Sequence, residues 1–195
     1  MGTVEWLAAW AAQAGGRVVV GIDGPGAAGK STLAAALAAE LGAVVVHTDD
    51  FHLPSAERVG NGYDLARLRV EVFEPAAVGK TTRYRRYDWP DDRLADWVQL
   101  PGDVPLVVEG VYSTSSAVRG FCTTTVFCRA SPEVRLSRGL ARDGEAARSR
   151  WVDEWMPAED RYFAAERVEE AADVVVLGEH GEFRVIQSRR PGGAS

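Results

Sequence analysis

The chain reads RVVVGIDGPGAAGKSTLAAALAAEL from residue 17 to residue 41. Its β-branched first part, 17–23, is typical of a buried strand, and its alanine- and leucine-rich last part, 30–41, is typical of a helix. Between them, 24–31 fits the spacing G-x-x-x-x-G-K-[ST]. In such a loop the glycines let backbone N–H groups turn inward around a phosphate, the lysine reaches its oxygens and the serine hydroxyl holds Mg²⁺. The pattern therefore predicts a binding site for a nucleoside triphosphate.

The helix that begins near Gly29 points the positive end of its dipole at the same anion. We therefore expect the phosphates to lie against one continuous run of residues. The run consists of Gly24, Pro25, Gly26, Ala27, Ala28, Gly29, Lys30, Ser31 and Thr32.

Apolar runs and helical patterns alternate along the rest of the chain. Buried strands are predicted at 43–47, 104–108, 124–128 and 173–177, with a candidate edge strand at 183–187, and helical patterns occupy 3–14, 64–78, 131–142 and 143–170. This alternation predicts an α/β fold with three α/β/α layers around a five-stranded, mostly parallel sheet. Together with the phosphate-binding loop at 24–31, it predicts a fold of the P-loop NTPase type. The segment 83–97 has no clear period and is predicted to be an irregular insertion that builds a substrate site, or else an ordinary solvated loop.

The composition limits the partners and the cellular setting. The 195 residues include 22 basic and 28 acidic side chains, a net charge of −6, so we expect no basic face for nucleic acid. No apolar run approaches the roughly 18 residues that span a bilayer, so no membrane partner is expected. Cys122 and Cys128 are expected to be buried thiols. We expect a cytoplasmic single domain, 1–195, with a core at 15–178 and a flexible tail at 188–195, while a homo-oligomer stays open.

Carboxylates stand just beyond the predicted carboxyl ends of two buried strands, where open α/β sheets bind ligands. Asp49 and Asp50 follow the second strand, and Glu109 follows the third. At such positions a carboxylate can hold Mg²⁺ or accept a proton from an attacking hydroxyl. We expect these functions of Asp49 and Glu109, whereas Asp50 is interpreted as a capping or supporting residue. His47, at the end of the second strand, is interpreted as a core histidine.

Arginines recur on one face of the helix predicted at 131–142. Arg135, Arg138 and Arg142 are three and four residues apart, so their like charges repel unless an anion lies against them. A triphosphate during transfer is such an anion, because arginines stabilise the charge that develops on a phosphoryl group. The alternative is a surface row paired with nearby carboxylates.

The chain resembles the uridine kinase group of P-loop kinases in four segments, GIDGPGAAGKST, HTDDF, VVEGV and RLSRGLARD. Pantothenate kinase and phosphoribulokinase are more distant relatives of this group, and the likeness runs from about residue 17 to residue 177. It implies an ATP-dependent enzyme that uses Mg²⁺ and moves the γ-phosphate of ATP to a hydroxyl of a small molecule. It also implies a helical lid at 143–156.

The resemblance implies roles for individual residues. Asp49 stands where the family has the base that takes a proton from the acceptor hydroxyl. Arg138 and Arg142 match arginines that lie near the phosphates at the start of the lid. The expected catalytic residues are Lys30, Asp49, Arg138 and Arg142, and the expected Mg²⁺ ligands are Ser31, Asp49 and Glu109.

The acceptor side follows the family pattern in part. Tyr63-Asp64 resembles a Phe-Asp pair whose aspartate contacts ribose hydroxyls, and Tyr87-Asp88-Trp89 resembles the motif that lines the nucleoside pocket. Asp92 and Gly139 stand where the family has a histidine and a second arginine. The implied acceptor is a nucleoside such as uridine or cytidine. The alternatives are a pantothenate-like or sugar-like acceptor, or a nucleotide-dependent regulatory ATPase that acts on a protein partner.

Overall fold

A computed structural model describes residues 1–58, 62–179 and 181–189, so the predicted tail lies, from residue 190 onward, outside the described residues. The strands are β1 (Val19–Asp23), β2 (Val44–His47), β3 (Thr82–Asp88), β4 (Arg93–Leu100), β5 (Leu106–Glu109), β6 (Thr124–Arg129), β7 (Val174–Glu179) and β8 (Glu182–Ser188). Within the described ranges the main sheet has six strands, in the order β2-β5-β1-β6-β7-β8, and a second sheet pairs β3 with β4.

The predicted α/β architecture with a mostly parallel sheet is confirmed, but the described part of that sheet has six strands instead of five. β2, β5, β1, β6 and β7 run parallel to one another, and β8 pairs antiparallel with β7. The sixth strand is the candidate edge strand at 183–187. Only two residues of the chain separate β7 from β8, and a connection this short suits antiparallel pairing.

Helices cover both faces of the main sheet. They are α1 (Thr3–Ala11), α2 (Lys30–Leu41), α3 (Leu65–Leu68), α4 (Glu74–Ala77), α5 (Pro132–Asp143), α6 (Met156–Glu166) and α7 (Val168–Ala171). Wide π-helical turns at Arg69–Phe73 and Arg150–Trp155 join α3 to α4 and lead into α6. Across the described ranges, no helix combines the length and apolarity needed to cross a membrane.

Side chains of the central strands alternate between two apolar layers. Val20 and Ile22 of β1 pack with α1 and α2, whereas Val19 packs on the opposite face with α3 and α4. In β5, Val107 and Val108 divide in the same way between the two layers. This alternation builds the three layers and leaves the carboxyl ends of the parallel strands together at one edge of the sheet.

The segment 83–97 belongs to an antiparallel hairpin of β3 and β4, so the irregular insertion predicted there is wrong. One face of β3 is buried, because Tyr84 is fully enclosed and stacks on Phe51 with ring centroids 5.0 Å apart. A register shift between Arg85 and Tyr87 interrupts the pairing. Such a bulge breaks the period of two along a strand, and this hides the hairpin in the sequence.

The predicted lid at 143–156 packs against α5 through an indole ring. Trp151 is 2% exposed, and Trp155 meets it edge-on with ring centroids 5.2 Å apart. A Cβ atom added to Gly139 would lie 2.5 Å from Cζ2 of Trp151, which is too close for an ordinary contact. The indole therefore fills the place that any side chain at position 139 would need.

We expect Gly139→Ala to destabilise the protein by about 1–3 kcal/mol, the usual cost of overpacking. The sign of this change in the free energy of unfolding is informative, because replacing glycine by alanine inside a helix normally stabilises a protein by roughly 0.5–1 kcal/mol. Urea unfolding measures the change in the free energy of unfolding, and tryptophan fluorescence reports the change in the surroundings of Trp151. Gly120→Ala is the control, since a Cβ there meets nothing within 4 Å. A Gly139→Ala protein at least as stable as the parent would contradict the close packing.

Candidate active site

The loop predicted to bind phosphate, 24–31, lies between β1 and α2, as its spacing requires. Positive φ angles at Gly24 (139°), Ala27 (61°) and Gly29 (100°) curl its backbone. At Gly24 a Cβ atom would collide with the carbonyl oxygen of Cys128 on the neighbouring strand β6, so only glycine fits. Successive N–H groups in such a curled backbone form a concavity that suits an anion.

Asp23, the last residue of β1, is fully buried at the base of this loop. Its Oδ1 accepts a hydrogen bond from the N–H of Gly24, and its Oδ2 accepts from both the N–H and the hydroxyl of Thr114 and from the hydroxyl of Tyr162. Burial raises the pKa of this carboxyl, and these hydrogen bonds oppose the rise. Its only signal in the sequence is a carboxylate at the end of a fully apolar strand, directly before the loop.

Lys30 and Ser31 begin α2 and face the edge of the sheet. Lys30 is 8% exposed, and its Nζ donates to the carbonyl oxygen of Pro25 at 2.9 Å, so the ammonium lies against the loop. The hydroxyl of Ser31 donates to Oε1 of Glu109 at 3.1 Å. Two residues expected to hold Mg²⁺ are therefore in direct contact.

His47 is not a core histidine, so that interpretation is wrong. It pairs in register with Glu109 at the carboxyl ends of β2 and β5, and its side chain is 47% exposed. Its Nδ1 lies 2.5 Å from Oε1 of Glu109, and this hydrogen bond raises the pKa of His47. Because neighbouring parallel strands end together, two polar residues at those ends are brought into contact.

The oxygen atoms at this edge suit Mg²⁺, which keeps several waters and binds through one or two carboxylates together with substrate phosphates. Ser31 and Glu109 supply a hydroxyl and a carboxylate, and Asp49 lines the same cavity. Among the residues that the structure describes, no group of three or more His, Cys, Asp or Glu side chains is placed to hold a metal ion. The donor set therefore fits Mg²⁺ bound jointly with phosphates and does not form an all-protein cage.

The three arginines of α5 have different surroundings. Arg138 donates to the carbonyl oxygen of Ala27 in the loop at 3.3 Å. Arg142 pairs with Asp143 at 2.7 Å, and this hydrogen bond raises the pKa of the guanidinium. Both line the cavity beside the loop. Arg135 is instead buried and paired with carboxylates of α6, which matches the ion-paired alternative but not its surface location.

A cavity of about 1390 Å³ extends from the phosphate-binding loop to the side where the acceptor is expected. Asp49 and Tyr63 line it together, and the hydroxyl of Tyr63 donates to Oδ1 of Asp49 at 2.9 Å. Burial raises the pKa of Tyr63, so this phenol stays protonated and acts as a donor. Asp50 points away, accepting from the hydroxyl of Tyr84 at 3.1 Å, which suits the supporting role expected of it.

Two of the five residues predicted to contact the acceptor line the cavity, and the other three bond to or pack against neighbouring residues. Tyr63 and Trp89 line the cavity. Asp64 accepts a hydrogen bond from the first turn of α3, and Asp88 accepts one from the turn that follows β3. Tyr87 lies behind Trp89, with the two rings edge-on and their centroids 4.9 Å apart.

Asp92, which stands at one of the two departures from the family pattern, accepts hydrogen bonds from other residues of the chain. Its Oδ1 accepts from the hydroxyl of Tyr87 at 2.6 Å and from the N–H of Ser55 at 2.8 Å. These bonds lower the pKa of Asp92 to about 2. The carboxylate therefore fastens the turn of the hairpin to the segment that follows β2.

We expect Tyr87→Phe to raise the pKa of Asp92 from about 2 toward its ordinary value, because the phenol is the main donor to the carboxylate. Since the folded pKa is depressed, this contact contributes stability above the ordinary pKa and loses it as the pH falls toward about 2. An NMR titration of the Asp92 carboxyl carbon measures the shift. Tyr84→Phe, which removes a phenol bonded to Asp50, should leave the titration unchanged.

Comparisons with known proteins find similarity at the level of the fold. No family model matches the sequence, and the comparison with curated proteins finds no match. A solved structure described as a possible uridine kinase from Bacillus stearothermophilus matches with a TM-score of 0.70 and 22% identity, over 88% of this chain and 96% of that chain. A protein provisionally described as a fructose transport system kinase, from Silicibacter sp. TM1040, matches with a TM-score of 0.57 and 20% identity, over 87% and 95%.

The chain therefore has the fold of uridine kinase-like P-loop proteins, and the resemblance seen in the sequence motifs is confirmed at the level of the fold.

Proposed function

We propose that the chain is an ATP-dependent phosphotransferase that moves the γ-phosphate of ATP to a hydroxyl of a small molecule. The observation that carries the proposal is a single cavity that joins a phosphate-binding loop to Asp49, a carboxylate able to take a proton. The P-loop kinase fold of the structural neighbours supports it.

On the phosphate side, the loop N–H groups and Lys30 bind the phosphates and fix their position relative to the acceptor. Ser31 and Glu109 would hold Mg²⁺, which supplies charge neutralisation at the phosphate oxygens when it is bound. Arg138 and Arg142, beside the loop, stabilise negative charge on the transferring group.

On the acceptor side, Asp49 orients the acceptor hydroxyl and accepts its proton as the hydroxyl oxygen bonds to the γ-phosphorus. The bond between that phosphorus and the β-phosphate oxygen breaks, and ADP leaves. Tyr63 donates to Oδ1 of Asp49 and thereby fixes the orientation of the carboxylate. The segment 143–156 acts as a lid that excludes water, because a kinase open to solvent hydrolyses ATP.

We infer that the acceptor is a nucleoside such as uridine or cytidine. His52 stands among aromatic rings at this end of the cavity, with centroids 5.0 Å from Tyr63 and 4.6 Å from Trp89. Trp89 is 53% exposed and so presents ring surface on which a planar base can stack. Burial lowers the pKa of His52, which favours a neutral ring beside a neutral base.

A pantothenate-like or sugar-like acceptor is the second candidate. The position at which the uridine kinase group has a histidine holds Asp92, whose carboxylate is bonded to Tyr87 and Ser55. A nucleoside contact expected at that position is therefore replaced by an internal one. One structural neighbour, provisionally described as a fructose transport system kinase, is consistent with a non-nucleoside acceptor on this fold.

We also propose, from the composition, a cytoplasmic single-domain protein without nucleic-acid or membrane partners.

We expect Asp49→Asn to lower turnover about 100-fold or more while ATP affinity changes little, because the amide cannot accept the proton of the acceptor hydroxyl. Single-turnover product formation and calorimetric ATP binding separate the two effects. Asp50→Asn is the control, since Asp50 bonds to Tyr84 outside the cavity, and its turnover should stay in the parent's range. Full activity of Asp49→Asn would rule out Asp49 as the base.

The acceptor class is tested by ATP consumption with Mg²⁺ against nucleosides, pantothenate, sugars and simple alcohols, with product mass as the readout. We expect phosphorylated uridine or cytidine. Turnover of another hydroxyl compound with no nucleoside product would favour the second candidate. ATP hydrolysis that needs an added protein and yields no phosphorylated acceptor would favour a regulatory ATPase.

A further inference from the structure

A carboxylate of the protein itself lies on the phosphate-binding loop. Glu159, in the first turn of α6, accepts a hydrogen bond from the N–H of Gly26, with both Oε1 and Oε2 at 3.0 Å from the nitrogen. A Cβ atom added to Gly26 would lie 2.9 Å from Oε1, so the glycine is what allows this approach. The carboxylate therefore occupies the N–H of Gly26, a backbone donor of the loop that is predicted to bind phosphate.

The surroundings of Glu159 are cationic and enclosed. Nη2 of Arg135 donates to Oε2 at 2.7 Å, and the side chain of Arg135 is only 5% exposed. Burial raises the pKa of Glu159, while the charges of Lys30 and Arg135 and the hydrogen bond from Gly26 oppose that rise. The same positive groups that would attract a phosphate attract this side chain.

We propose that Glu159 is a built-in competitor for nucleotide phosphate, which must leave the N–H of Gly26 before a phosphate can bind there. The inference rests on the proposed binding of ATP to this loop. One N–H group donates one strong hydrogen bond, and two anions against the same loop repel each other. The apparent affinity for phosphate ligands therefore equals the intrinsic affinity multiplied by the fraction of molecules in which Glu159 has left the loop.

Displacement of Glu159 connects phosphate binding to the predicted lid. The turn Arg150–Trp155 leads directly into α6, and Trp151 also lies against Gly26. Tyr162, three residues beyond Glu159, anchors the same helix to Asp23. We therefore infer that the first turn of α6 moves together with the end of the lid, while the middle of the helix stays in place.

The test is equilibrium binding of ATP, inorganic pyrophosphate and adenosine to the full chain, without any acceptor. Glu159→Gln is expected to tighten ATP and pyrophosphate about tenfold, the gain on removing a competing state populated about nine-tenths of the time. Adenosine, which carries no phosphate, should bind as it does to the parent. Asp160→Asn is the matched control, because Asp160 lies near the same arginine at 3.5 Å but is 65% exposed and does not line the cavity.

A second variant guards against misfolding, since Glu159→Gln leaves Arg135 buried with a weaker partner. Glu159→Asp keeps the negative charge beside Arg135 but shortens its reach to Gly26, and it should tighten pyrophosphate to an intermediate extent. Parent-like or weaker pyrophosphate binding in a folded Glu159→Gln or Glu159→Asp protein would overturn the competitor role. ATP and pyrophosphate binding to none of the proteins would overturn the proposed function as well.

Discussion

The buried carboxylate of Asp23 is the contact on which the geometry of the site depends. It receives hydrogen bonds from the phosphate-binding loop through Gly24, from the segment after β5 through Thr114 and from α6 through Tyr162. Hydrogen bonds to a charged group contribute about 1.5–3 kcal/mol each, and an unpaired buried charge costs several kcal/mol. The loop, the strand edge and the helix that carries Glu159 are therefore positioned by one side chain at the end of β1.

Much of the fold is predictable because its central strands are buried on both faces. Apolar β-branched runs such as 17–23 and 104–108 are typical of strands that are buried on both faces of a parallel sheet. Because such strands lie side by side, Glu109 comes into contact with Ser31. The β3–β4 hairpin is not predictable in this way. It buries one face only, its exposed side chains mix arginines and acids with Trp97, and the bulge before Tyr87 shifts the alternation by one residue.

The candidate site is predictable where it follows from short-range spacing, and not where it depends on tertiary contacts. The loop, Asp49 and Glu109 follow from motifs and strand ends. The interpretation of His47 as a core histidine is wrong because a lone polar residue at a strand end does not reveal its neighbour in the adjacent strand. Glu159 meets Gly26 across 133 residues of sequence, and the charged pattern around α6 suggests only a solvated face. Nothing local distinguishes Glu159, which contacts the loop, from Asp160 beside it, which is 65% exposed.

The contact between Trp151 and Gly139 also makes the residues tolerated at these two positions depend on each other. A large side chain at position 139 is incompatible with the indole that now occupies its space. Positions in direct contact have interdependent effects, so a large side chain at 139 requires a smaller residue at 151 in the same protein. Introduced alone, it would yield a less stable protein, because the indole already fills the space that it needs.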